Sequence, residues 1–148
     1  MIILKIVPKD PFVLPGPEVY ARLVDHVVAA FPGCEIADAQ SDMPQFVDCG
    51  DGLEAVTCPL CRQAIDCEDW SILMDASYDD EGFTTLDIVT PCCGRPSRLD
   101  KLVYRAPCAF SCFEIDVADP PRIPPSLLRD LEAIAGFPFQ TILAEYDE

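Results

Sequence analysis

Two short cysteine clusters in the middle of the chain are the residues best suited to chemistry: Cys58-Pro59-Leu60-Cys61 and Pro91-Cys92-Cys93-Gly94. A structural Zn²⁺ prefers four ligands in a tetrahedron, and Cys-x₂-Cys offers two thiolates from one tight turn. Proline stiffens such a turn, and glycine permits a positive φ. The spacing therefore predicts that both clusters form one structural zinc site. The four predicted ligands are Cys58, Cys61, Cys92 and Cys93.

The first cluster resembles the zinc-ribbon or rubredoxin-type knuckle, C-P-x-C-G, with Arg62 in the place of the glycine. Aligned on its proline and glycine, the second cluster places Thr90 where the family has its first ligand and Cys92 at the variable position. The resemblance covers about residues 56–98 and implies a metal, not an activity. The whole chain also resembles small uncharacterised bacterial proteins with the same pairing of knuckles, which implies no function.

The two adjacent cysteines leave the ligand set open. Either Cys92 and Cys93 both bind the metal, or one of them binds and a cysteine from outside the clusters completes the set. The candidates for that place are Cys67, Cys108 and Cys112. The strongest of them is Cys67, because it begins a predicted helix just after the first cluster.

A thiol–disulfide oxidoreductase that uses Cys58 and Cys61 is the alternative function. In that class the first thiol lies at a helix N-terminus, which lowers its pKa. The proline and the second cluster favour a metal knuckle instead. The sequence has no P-loop, dinucleotide-binding or H-E-x-x-H motif, and no spacing links the only histidine, His26, to a cysteine nucleophile. The sequence therefore leans against an enzyme, and it predicts no catalytic residue.

The charge of the chain is strongly one-sided, with a formal net charge of −16. Between Leu23 and Gly94 the only lysine or arginine is Arg62. Such a field repels phosphate backbones, which need lysine and arginine to displace their counterions, so no nucleic-acid partner is expected. The acidity either serves solubility alone or suits a basic protein partner. On the second interpretation, and because no catalytic motif is present, we expect a protein-protein binding or inhibitor module, of the kind that an immunity protein represents.

The compartment is predicted from cysteine usage and hydropathy. No apolar run approaches the roughly 20 residues that cross a membrane. The start of the sequence reads as a strand and lacks the features of a signal peptide. Nine cysteines without a secretion signal favour reduced thiols and a metal over a disulfide framework. These observations predict a cytoplasmic protein without a membrane partner.

Hydrophobic periodicity predicts the elements that position the clusters. A strand (2–7), a helix (17–31) and a strand (34–39) make a β-α-β unit at the front of the chain. A loop (38–44) follows, and then two short strands (45–49 and 53–57) about a turn at 49–52. A helix (66–78) with a capping box of Asp66 and Asp69, and a strand (83–90), complete the middle. Residues 99–105 are predicted as a further strand or an irregular segment.

The last forty residues predict a second β-α-β unit: a strand (109–117), a helix that starts at Ser126 and ends at Gly136, and a strand (137–146). Two such units pack naturally as a four-stranded sheet with both helices on one face. The predicted class is α+β, a ferredoxin-like sandwich with a zinc-ribbon-like insertion. The chain is predicted to form a single domain (1–148), in which residues 50–107 are the zinc-bearing insert.

Overall fold

The computed structural model describes residues 1–50 and 55–146. In these residues it contains three α-helices and nine strands, and its sheets are antiparallel, which confirms the α+β class. The helices are α1 (Pro17–Ala30), α2 (Cys67–Ser77) and α3 (Leu127–Ala135). The long strands are β1 (Ile2–Pro8), β2 (Ile36–Val47), β8 (Ala109–Ala118) and β9 (Phe139–Glu145). The short strands are β3 (Val56–Thr57), β4 (Ala64–Ile65), β5 (Asp87–Val89), β6 (Pro96–Arg98) and β7 (Val103–Tyr104).

The four long strands form one sheet in the order β2-β8-β1-β9. All three neighbouring pairs are antiparallel. The chain therefore makes two β-α-β units, β1-α1-β2 and β8-α3-β9, and a strand of the other unit lies between the two strands of each. Side chains of α1 and α3 pack into the same core. Membership of the ferredoxin-like fold stays a prediction.

The main core lies between this sheet and the helices α1 and α3. Side chains alternate between the two faces of a strand, so every second residue of β1 and β8 enters it. The buried members are Leu4, Ile6, Leu23, Val27, Phe31, Phe113, Ile115, Val117, Leu127, Leu131 and Phe139. The residues between them, such as Lys5, Glu114 and Asp116, lie on the other face of the sheet.

Strand β2 differs from its prediction. It runs without interruption from Ile36 to Val47, where we expected two strands separated by a polar loop. Residues 37–40 are exposed because β2 lies at the edge of the sheet, so they lack the apolar alternation that marks a half-buried strand. The register against β8 shifts by three residues between Gln40 and Gln45, so β2 bulges irregularly away from β8 there.

Residues 56–104, between β2 and β8, carry five short strands, α2 and a 3-10 turn (Leu99–Lys101). They have a second core that includes Val56, Ile65, Phe83, Leu86, Ile88, Leu99 and Leu102. Phe110 of β8 and Phe46 of β2 also belong to this core. The segment therefore packs on the main sheet. The insert boundary at 50–107 stays a prediction, and the predicted turn at 49–52 lies partly outside the described residues.

Other predicted element ends differ by a few residues. The predicted strand at 83–90 is confined to β5, and residues 99–105 divide between the 3-10 turn and β7. Asp66 is the N-cap of α2, but its side chain makes no capping hydrogen bond, so the predicted capping box is wrong. Gly136 ends α3 in the left-handed region (φ 85°), as predicted.

Within residues 1–50 and 55–146, no helix has both the length and the apolar character that would let it cross a membrane.

Candidate metal centre

The sulfur atoms of four cysteines converge at one point of the segment between β2 and β8. Sγ of Cys58 lies 3.9 Å from Sγ of Cys93, and Sγ of Cys61 lies 3.3 Å from Sγ of Cys92. All four atoms lie within 4.8 Å of one another. A tetrahedral zinc with Zn–S bonds of about 2.3 Å separates its sulfurs by about 3.8 Å. The four sulfurs therefore fit around one thiophilic metal ion.

The first pair is presented by a tight turn that follows β3. The amide of Arg62 donates to the carbonyl of Cys58 (3.0 Å), and the amide of Cys58 donates to the carbonyl of Gln63 (2.9 Å). Arg62 has a φ of 64°, in the region that favours glycine. The amide of Leu60 points at Sγ of Cys58, 3.4 Å away. The turn thus closes on itself and directs both thiols to one side.

The second pair lies on a turn with the same backbone pattern, between β5 and β6. The amide of Gly94 donates to the carbonyl of Thr90 (2.9 Å), and the amide of Thr90 donates to the carbonyl of Arg95 (3.0 Å). Gly94 has a φ of 68°. In this correspondence Cys93 has the position of the second cysteine of the first turn. Thr90 takes the position of the first cysteine, Cys58. Cys92 takes the position of Leu60, between the two cysteines of the first turn.

Thr90 is directed at the cluster, although its hydroxyl replaces a thiol. Its side chain is 1% exposed, and its Oγ1 lies 3.0 Å from Sγ of Cys93. The second turn still supplies two sulfurs, because the side chain of Cys92 reaches the cluster from the middle position. Both adjacent cysteines therefore join Cys58 and Cys61.

The three reserve cysteines lie outside the cluster. Cys67 is exposed at the start of α2, Cys108 is half-buried, and Cys112 is buried in β8. In the described part of the chain, the cluster is the only group of three or more cysteine, histidine or acidic side chains close enough to hold an ion. His26 lies apart from it, with its Nε2 3.6 Å from Oδ2 of Asp130 on α3.

The thiols of the cluster have unequal proton affinities. Hydrogen bonds from the Thr90 hydroxyl and the Arg95 guanidinium lower the pKa of Cys93 to about 6. Backbone N–H groups, that of Cys61 first, lower the pKa of Cys58. Burial, together with the neighbouring thiols of Cys61 and Cys58, raises the pKa of Cys92. A bound cation would offset the mutual repulsion of four thiolates, so the arrangement suits a metal.

Arg95, just after the second cluster, has its guanidinium beside the thiol of Cys93, and the two groups favour each other's charged forms. The guanidinium of Arg98 instead makes two hydrogen bonds to the carboxylate of Asp100, at 2.8 and 2.7 Å. It also lies over the ring of Phe12, 5.3 Å from the centroid. Arg98 therefore links the segment to the loop after β1.

No family model matches this chain, and no curated protein sequence or solved structure matches it either.

A redox role for the first pair requires an accessible thiol at the start of a helix. Cys58 is 0% exposed, and it lies in a turn rather than at a helix N-terminus, since α2 begins only at Cys67. Both thiols of the first pair face the second pair: Sγ of Cys61 lies 3.3 Å from that of Cys92, and Sγ of Cys58 lies 3.9 Å from that of Cys93. This arrangement favours metal binding over disulfide exchange.

Sequence reasoning missed a polar network on the face of the sheet opposite α1 and α3. Nζ of Lys5, which is 7% exposed, donates to Oδ1 of Asp48 (2.8 Å) and to Oη of Tyr146 (2.6 Å). The hydroxyl of Tyr146 donates to the same carboxylate oxygen (2.6 Å). A charged residue inside the apolar run of β1 was the one available signal. The network joins the two ends of the chain to the end of β2.

Glu114 on the same face should make stability depend on pH. Burial, together with the neighbouring carboxylate of Asp116, raises its pKa from the usual 4.5 to about 8, against the opposing charge of Lys5. The folded protein then keeps a proton that the unfolded chain releases. The stabilisation of the folded state that comes from the Glu114 proton is fully present below about pH 4.5, and it is lost as the pH rises through about 8.

We expect Glu114→Gln to reduce this loss by on the order of 1–3 kcal/mol. The free energy of unfolding of both proteins is measured with urea at pH 5, 7 and 9. The difference between variant and wild type at each pH gives the effect, because metal effects shared by both proteins cancel. The exposed Glu132 on α3 supplies the control, Glu132→Gln. Parallel pH profiles for wild type and Glu114→Gln would contradict the assignment.

Proposed function

We propose that Cys58, Cys61, Cys92 and Cys93 bind one structural zinc ion, and that the protein is an acidic binding or inhibitor module of the immunity type. The observation that carries the metal proposal is the convergence of four sulfurs within 4.8 Å. The two turns that present them also support the resemblance to zinc-ribbon knuckles. Four thiolates complete a tetrahedral zinc, which leaves no position for a catalytic water.

The proposed role of the metal is to hold a surface in shape. All four cysteines pack in the second core, together with Trp70, Leu73 and Met74 of α2. The strands of this segment have two or three residues each, too short to be stable without further support. Zinc binding contributes directly to the folding free energy of such small units. The metal would therefore order the segment that carries α2.

The second turn offers a sharp test of the ligand set. We expect Cys92→Ser to weaken zinc binding by on the order of a hundredfold, because one thiolate of four is lost. Adding Thr90→Cys to that variant should restore most of the affinity, since Thr90 has the backbone position that Cys58 has in the first turn. Competition with a chromophoric chelator measures both.

Cys67→Ser, which removes an exposed thiol outside the cluster, is the matched control and should keep wild-type affinity. A Cys92→Ser variant with unchanged affinity would remove Cys92 from the ligand set. A double variant no tighter than Cys92→Ser would show that position 90 cannot supply a ligand.

The proposed partner is a basic protein. The net charge of −16 would accelerate association with a basic surface and make it sensitive to salt. Affinity capture from the native cell, with the zinc-loaded protein immobilised, tests this. We expect a basic protein to be retained at about 0.05 M salt and released at about 0.5 M.

The metal-free Cys58→Ser protein serves as the control surface and should retain less of that partner. Two results together would overturn the proposed function in favour of the oxidoreductase. These are the failure to retain any salt-sensitive basic protein, and a disulfide reductase activity that disappears in Cys58→Ser.

A further inference from the structure

We infer that an open cleft between α2 and the bulge of β2 receives an arginine or lysine side chain of the basic partner. This inference rests on the proposed function and names the place where the partner is anchored. The cleft, called the anchor cleft below, has a volume of about 310 Å³. Its lining residues are Gln45, Phe46, Met74, Asp75, Tyr78 and Phe83.

The chemistry of the lining fits a long cationic side chain. Three aromatic rings line the cleft, and Tyr78 is 46% exposed there, with its ring in edge contact with that of Phe83 (5.1 Å between centroids). A cation over such a ring is attracted by its negative face. The exposed carboxylate of Asp75 lies in the same lining and can accept hydrogen bonds from a guanidinium or an ammonium. A neutral apolar group would offer this carboxylate no hydrogen bond.

The rim of the cleft adds negative charge. Asp79, Asp80 and Glu81 follow Tyr78 directly, and all three are exposed. Oδ1 of Asp79 accepts hydrogen bonds from the amides of Glu81 (2.7 Å) and Gly82 (3.1 Å), which fixes the acidic turn. The sequence contains no lysine, arginine or histidine between Arg62 and Arg95, so α2 and this turn carry no positive side chain. The charge of the cleft and its rim is therefore complementary to a basic partner.

Hydrogen bonds between β2 and the residues around the acidic turn fix the shape of the cleft. The hydroxyl of Tyr78 donates to Oε1 of Gln45 (3.2 Å), and Nε2 of Gln45 donates to the carbonyl of Glu81 (2.5 Å). The amide of Phe83 donates to the carbonyl of Pro44 in the bulge (2.9 Å). These bonds join β2 to Tyr78 before the acidic turn, to Glu81 within it and to Phe83 after it. A preformed site loses less conformational entropy on binding.

The cleft is also connected to the cysteine cluster. Phe46, Met74 and Phe83 belong to the same hydrophobic core as the four cysteines. Loss of the metal should therefore disturb the walls of the anchor cleft. In this way the proposed zinc would affect binding of the partner.

Fluorescence anisotropy with a labelled hexa-arginine peptide tests the inference on the zinc-loaded protein. We expect Asp75→Asn and Tyr78→Ala each to weaken binding by on the order of tenfold. Tyr78→Phe keeps the ring but loses the hydrogen bond to Gln45, so it should weaken binding by less than Tyr78→Ala does. The control is Asp25→Asn on the exposed side of α1, which changes the net charge by the same amount and should weaken binding by less than about twofold. Zinc content and thermal unfolding establish that each variant is folded.

An equal loss in Asp25→Asn and Asp75→Asn would overturn the cleft, since only the overall field would then matter. Wild-type binding by both Asp75→Asn and Tyr78→Ala would overturn it as well, even if a basic partner were captured from the cell and the proposed function stood. Binding that depends on Asp75 and Tyr78 supports the cleft whatever the capture finds. Capture without a salt-sensitive basic protein would then count against the proposed function alone.

Discussion

Replacement of Cys58 by serine is expected to release the metal and unfold residues 56–104 while the four-stranded sheet remains. Purified wild-type protein should contain about one zinc per chain, and the variant close to none. The effect should be large, because apparent zinc-binding free energies in small zinc-dependent units are about 10–16 kcal/mol. The sheet should persist because its own core, between α1, α3 and the long strands, contains none of the four cysteines.

Elemental analysis and hydrogen exchange measure the two parts of this prediction. Amides of β3, α2 and β7 should lose protection in Cys58→Ser, and those of β1 and β8 should keep most of theirs. The matched control is Cys67→Ser, because Cys67 is exposed and lies outside the cluster. Metal-free wild-type protein purified without chelators would remove the basis of the proposal. Full zinc content in Cys58→Ser would instead remove this residue from the ligand set.

Leu131→Ala should destabilise the whole fold by about 2–5 kcal/mol, the usual cost of removing a buried leucine side chain and leaving a cavity. Leu131 is 0% exposed in the main core, where α3 packs against α1 and the sheet. The metal should remain bound below the unfolding transition, because the cysteine cluster belongs to the other core. The midpoint of urea unfolding, with zinc content measured alongside, gives the result.

Helix α3 itself offers the control. Leu128→Ala makes the same substitution in the same helix, but Leu128 is 37% exposed, so its cost should stay below about 1 kcal/mol. Similar losses for the two variants would contradict the placement of Leu131 in the core. Loss of zinc from folded Leu131→Ala would contradict the separation of the two cores.

Local pattern was sufficient for the helices of the main core. The apolar stripe of α1 and the αL glycine that ends α3 depend on interactions within a few residues, and both were predicted. The pairing of two cysteine clusters likewise needed only composition and spacing. The predicted set of four cysteines is the set that the fold brings together, although sequence alone left the fourth place open to Cys67, Cys108 or Cys112.

Tertiary structure decided the features that depend on distant neighbours. The choice of Cys92 over an outside cysteine depends on the direction of side chains in the second turn, and therefore on its φ and ψ angles. Strand β2 carries polar residues, because hydrogen bonds from β8 rather than an apolar face hold it in place at the edge of the sheet. The polar network joins Lys5 to two residues that lie 43 and 141 positions further along the sequence, Asp48 and Tyr146. The anchor cleft likewise needs β2, α2 and the acidic turn together. Periodicity records the environment of each residue along its own element, whereas these contacts exist only once separate elements have packed.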